Sequence, residues 1–120
     1  MFEALGLHRH KGLKAVWVLG VAVLLLISLL PKEVLDLEHP FSDKVLHFLA
    51  YLAVTLPGAL AASSPKRMVL VGLGMVVLGL IIEVLQGYIP GRYPELLDGL
   101  ANLLGVLTGA GIAYLWRRRG

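Results

Sequence analysis

Apolar residues fall along this chain in four long blocks rather than in stripes, and short segments between them carry most of the charge. The blocks cover residues 15–30, 45–62, 68–89 and 96–116. Long apolar blocks of this kind predict transmembrane helices, at ~1.5 Å per residue against a hydrocarbon core of ~30 Å. The first reaches roughly 24 Å, a little short of that core. Pro31 closes it, and Trp17 near its start suits an interfacial position. Basic Arg9, Lys11 and Lys14 ahead of it also resemble a signal peptide. However, Ser28-Leu29-Leu30-Pro31 lacks a small-residue cleavage pattern, and further spans follow. In the turn Ser63-Ser64-Pro65-Lys66-Arg67, Pro65 stops a helix and the basic pair anchors it. Pro90-Gly91-Arg92-Tyr93-Pro94 joins the last two blocks stiffly. The expected fold is all-α: one membrane domain over residues 1–120, a polytopic four-transmembrane-helix bundle, with no internal repeat.

Composition supports lipid as the solvent. The 120 residues are 58% hydrophobic, with a mean hydropathy of +0.80. A soluble domain of this size has too little interior to hide that much apolar surface. The net charge of +3 sits in clusters beside the blocks, so topology explains it better than nucleic acid does. Arg9, Lys11, Lys14, Lys66, Arg67 and Arg117 to Arg119 lie on one side, against Lys32, Lys44 and Arg92 on the other. Eight against three places both termini in the cytoplasm. The loop with Glu33, Asp36, Glu38 and Asp43 then faces outward. The absence of cysteine excludes disulfides and thiolate chemistry.

Ionisable side chains within a span cost at least ~2.5–3.5 kcal/mol near the bilayer centre and usually serve function. Here they gather at the outer ends of three spans. Asp43, His47 and Tyr51 are spaced i, i+4, i+8, one stripe at about 100° per residue, with Lys44 beside them. Glu83 and Gln86 lie near the outer end of span three; Glu83 stands six residues before position 89, roughly 9 Å below that end. Asp98 and Asn102 open span four, and Arg92 occupies the turn before it. Expected pairs are Arg92 with Glu83 or Asp98, and His47 with Glu83. Simpler roles compete: Asp43 and Asp98 as N-terminal caps, Tyr51 as a belt aromatic, His47 as a packed interfacial histidine, Glu83 as a neutral or paired structural group. Gly105 and Gly109 extend the Asp98 face as a small-xxx-small packing motif, with Gly111 one step aside and Gly72 and Gly79 in span three alike. Arg117 to Arg119 read as an anchor. No metal, nucleotide or serine-hydrolase motif is present, no cofactor or metal is expected, and whether any reaction is catalysed stays open.

Three segments, Asp43-Lys44-x-x-His47-Phe48-x-x-Tyr51, Glu83-x-x-Gln86 with Arg92, and Asp98-x-x-x-Asn102-x-x-Gly105-x-x-x-Gly109, stand in this order on spans two to four. Together they resemble the VanZ-like membrane proteins over more than half the chain; span one carries no such motif. The resemblance implies a small protein of the bacterial cytoplasmic membrane, and the founding member is associated with teicoplanin resistance. Three functions fit. The first is binding or modifying an envelope lipid or lipid-linked cell-wall precursor at an outward polar pocket. The second is a small oligomeric transporter using Glu83. The third is a structural or accessory membrane subunit without catalysis.

Overall fold

The computed structural model describes the backbone of residues 2–30, 40–89 and 96–119, and side chains over 11–30, 44–89 and 96–118. Four helices follow one another: α1 Phe2–Ser28, α2 Pro40–Ala61, α3 Pro65–Gln86 and α4 Leu96–Arg119. There is no strand among the described residues. All four are long and apolar enough to cross a membrane. Their outward faces are apolar, with Leu26 at 66%, Val69 at 61% and Leu115 at 61% exposure. Such surfaces are stable only against lipid. The chain is a multi-pass membrane protein.

Helix limits differ from the hydropathy blocks for identifiable reasons. α1 begins at Phe2, well before residue 15, because nothing in the basic segment breaks a helix and backbone pairing does not require an apolar side chain. α2 begins at Pro40, where a missing N–H costs nothing in a first turn. Asp43 is therefore inside the first turn and not at the cap. Asp98 likewise falls in the first turn of α4. Pro65 opens α3 instead of merely ending α2, and the Ser64 hydroxyl caps it by accepting from the Arg67 amide at 3.2 Å. At its far end α3 stops at Gln86, because the Gly87 amide turns back to the Val84 carbonyl at 3.1 Å. Glu83 consequently lies one turn from the helix end, shallower than the block limit at residue 89 implied.

The bundle is organised around α2 and α4, which run parallel and share the largest interface. Their register is constant: Lys44 meets Asp98 at a sequence offset of 54, His47 meets Asn102 at 55, and the Ala62 carbonyl meets Arg117 at 55. Along α4 the seam advances through Asp98, Asn102, Gly105 and Gly109, steps of four, three and four. That near-3.5 repeat keeps two parallel helices in contact. At Gly105 the α4 backbone rests directly on the Phe48 carbonyl, and at Gly109 a Cβ would come within 2.9 Å of the Leu52 carbonyl. Arg117 donates to the Ala62 carbonyl, an acceptor freed where α2 ends, so it caps a helix as well as marking the membrane edge. Gly111 contributes no such contact; nothing lies within 4 Å of its Cβ position.

The other helices run antiparallel to this pair. α3 packs against both, and α1 lies along α2, touches α3 little and does not reach α4. The Trp17 ring is turned inward onto Gly58, where a Cβ would stand only 2.8 Å from it, so Trp17 packs the α1–α2 contact instead of facing the headgroups. Buried Leu24, Tyr51, Met75, Ile82 and Val106 form the main core.

These contacts fix the expected outcome of two substitutions. Gly105→Ala should drive its methyl into the Phe48 carbonyl and the Tyr51 Cβ, costing about 1–3 kcal/mol and lowering the thermal midpoint in detergent. Gly111→Ala, in open space, should leave the midpoint unchanged.

Candidate functional site

At one end of the bundle lie the start of α2, the end of α3, the start of α4 and the end of α1. Lys44, His47 and Tyr51 descend one face of α2. The Lys44 ammonium donates to an Asp98 carboxylate oxygen, with side-chain exposures of 22% and 13%. His47 Nδ1 is 3.0 Å from Asn102 Oδ1, and Nε2 faces the other Asp98 oxygen at 4.0 Å. An amide oxygen only accepts, so Nδ1 carries the proton in this pairing. The described contacts of His47 thus run to α4, not to Glu83 on α3. Because α2 and α4 are parallel, their like-numbered turns meet, and α3 is offset to one side.

Tyr51 is 2% exposed, with its ring laid on Gly79 of α3, where a Cβ would come within 3.1 Å. It is therefore a core aromatic and not a belt residue. Gly79 and Glu83 are one turn apart on α3, which brings the Tyr51 phenol within electrostatic reach of the Glu83 carboxylate. That carboxylate lies over Gly99 of α4, its Oε2 3.3 Å from the Cβ position there. Glu83 is half-buried and has no hydrogen-bond or ion-pair partner among the described residues. Gln86 is buried and donates from Nε2 to the Ser28 carbonyl at 2.9 Å. It ties α1 to α3 and does not enter the α2–α4 network. The side chains of Asp43 and Arg92 lie outside the described residues.

Two contacts of this site escaped the sequence. Gly99 forms the floor under Glu83, and the Ser28 carbonyl takes Gln86. The Asp98-Gly99 dipeptide was the available signal for the first; a backbone acceptor leaves none. Chemically, the assembly offers an ion pair with a hydrogen-bonded imidazole on one side, and a carboxylate with a phenol on the other. Among the described residues no three His, Asp or Glu side chains cluster closely enough to hold a metal ion. A surface groove along Ile112, Leu115, Trp116 and Arg118 lies at the opposite end of α4.

A four-helix polytopic membrane bundle with its intramembrane polar groups gathered at one end of three helices is the class of protein this defines. The sequence model of the VanZ/LLP1 family matches residues 13–117, and the chain belongs to that family. The match takes in α1 from residue 13 onward, beyond the segments that carry the motifs. No curated protein and no solved structure matches the chain.

The Lys44–Asp98 pair should couple strongly. Lys44→Met leaves the partly buried Asp98 carboxylate without its ammonium and should cost about 1.5–3 kcal/mol, and Asp98→Asn removes the same contact from the other side. The double variant should lose less than the sum of the two, a cycle readable by unfolding in detergent.

Proposed function

We propose that this protein resides in the bacterial cytoplasmic membrane with both termini inside, and binds or modifies a lipid-linked or cell-wall-related ligand at its outward polar end. The observation carrying this reading is Glu83: a half-buried carboxylate one turn from a helix end, without a protein partner among the described residues. A membrane protein retains such a group at considerable cost, and a ligand supplies the missing partner. Family membership supports a link to the cell envelope, and through the founding member to glycopeptide (teicoplanin) resistance. Glu83→Gln keeps the shape and removes the charge. In cells expressing the variant at wild-type levels, teicoplanin susceptibility should move to that of cells lacking the protein. Unchanged susceptibility would remove this function.

One observation favours a second reading, a structural or accessory subunit. Lys44, Asp98, His47 and Asn102 already join α2 to α4. A lock of this kind needs no ligand. Under it Glu83→Gln changes neither susceptibility nor ligand binding, while Asp98→Asn destabilises the bundle. The transporter reading has less support, because the far half of the bundle core is closed by Ala59, Ala62, Met68 and Ala113.

Orientation is separately testable, since the chain has no cysteine. Ser63→Cys should react with a membrane-impermeant maleimide only in inverted vesicles. Tyr88→Cys, at an 84% exposed position by the polar end, should react in intact cells. The opposite pattern would invert the topology.

A further inference from the structure

The polar end divides into two halves of different chemical state. On the α2–α4 side the Lys44 charge is matched by Asp98, and His47 is directed at Asn102 and Asp98. On the α3 side the Glu83 carboxylate has no cation among the described residues, and its Oε2 lies over bare Gly99. Tyr51 is 2% exposed, and its hydroxyl makes no hydrogen bond among the described residues; it is not one of the fully enclosed unpartnered atoms, which are Trp17 Nε1 and Thr55 Oγ1. The phenol lies over Gly79 and the carboxylate is carried one turn further along α3 by Glu83, a donor and an acceptor with no bond between them.

Their surroundings restrict what can use them. Gly79 and Gly99 place no side chain beneath the phenol or the carboxylate. Glu83 is one turn from the end of α3, within the candidate span but next to its polar end, so a ligand group bound there reaches it from that end. A carboxylate repels phosphate and attracts a cation, and a primary ammonium adds N–H donors that a quaternary one lacks. The phenol can donate to an anionic or carbonyl oxygen a few bonds from that nitrogen.

We propose that Glu83 and Tyr51 recognise a primary ammonium group presented from the polar end, with Glu83 accepting from the nitrogen and Tyr51 donating to a neighbouring oxygen of the same ligand. This deepens the reading of the polar end as a ligand site and rests on it. Two sources carry such a group: an ethanolamine phospholipid, and the free amine of a lipid-linked peptide. In either case the site reads the amine.

The test uses the full chain, purified and delipidated in detergent, with bound lipid counted by native mass spectrometry. Phosphatidylethanolamine, phosphatidylcholine and phosphatidylglycerol of identical acyl chains are the probes. Phosphatidylethanolamine should bind about tenfold tighter than either of the others, as one charge-assisted contact allows. Glu83→Gln should abolish that preference, and Tyr51→Phe should weaken binding several-fold while leaving the ranking intact. Gly99→Ala, whose methyl crowds the Glu83 carboxylate, gives the same loss by a second route should Glu83→Gln fold poorly. A soluble lysine-containing peptide that competes assigns the amine to a peptide, and one that does not assigns it to the lipid. Equal or better binding of phosphatidylglycerol, or a preference that survives both Glu83→Gln and Gly99→Ala, would overturn the proposal. Phosphatidylglycerol binding that is lost in Glu83→Gln would sink only the amine, whereas no binding of any probe or precursor would sink the ligand site itself.

Discussion

The approach of α4 to α2 at Gly105 sets the geometry of everything above it. With no side chain at that position, the α4 backbone rests on the Phe48 carbonyl, and two parallel helices run in a register that stays within one residue along their length. Lipid offers helices no hydrophobic reason to associate, so close backbone packing and polar contacts must hold them. The short separation lets Lys44 reach Asp98 and His47 reach Asn102. It also pins Tyr51, whose Cβ lies 3.0 Å from the Gly105 Cβ position, and so directs its ring across to Gly79 of α3. A bulkier residue at 105 would therefore disturb the polar end without touching it.

Polar groups in this bundle do two kinds of work. Some close the fold: Arg117 caps the end of α2, Gln86 holds the end of α1, and the Lys44–Asp98–His47–Asn102 set joins α2 to α4. α1 is therefore attached at the polar end as well as along α2. Glu83 and Tyr51 are different, because no helix contact uses their acceptor and donor. Trp17 Nε1 and Thr55 Oγ1 are also buried without a partner, but an unused carboxylate in a low-dielectric medium is costlier than an unused neutral donor, and that sets Glu83 apart.

Much of this was legible in the chain. Four apolar blocks gave four helices, and up-down connectivity brings the start of spans two and four and the end of span three to one end of the bundle, with Lys44, His47, Glu83, Asp98 and Asn102 there among the described side chains. The pairings were not legible. Lys44 with Asp98 depends on α2 and α4 being parallel neighbours in a fixed register, and hydropathy does not encode which non-consecutive helices touch. Helix ends were also misplaced, since apolarity continues through Tyr88 and Ile89 while the backbone already turns at Gly87. Trp17 has the composition of a belt residue but meets Gly58, a partner forty-one positions away, and only packing reveals it.

The proposed function turns on whether a ligand, and not another part of the chain, occupies the Glu83–Tyr51 side of the polar end. An experimental structure in a native lipid disc, at a resolution that shows headgroups, tests it most directly. Ligand occupancy predicts non-protein density between Tyr51 and Gly99, with an atom about 2.7–3.2 Å from the Glu83 carboxylate. A carboxylate closed by a protein cation, with no room left above Gly99, would contradict it.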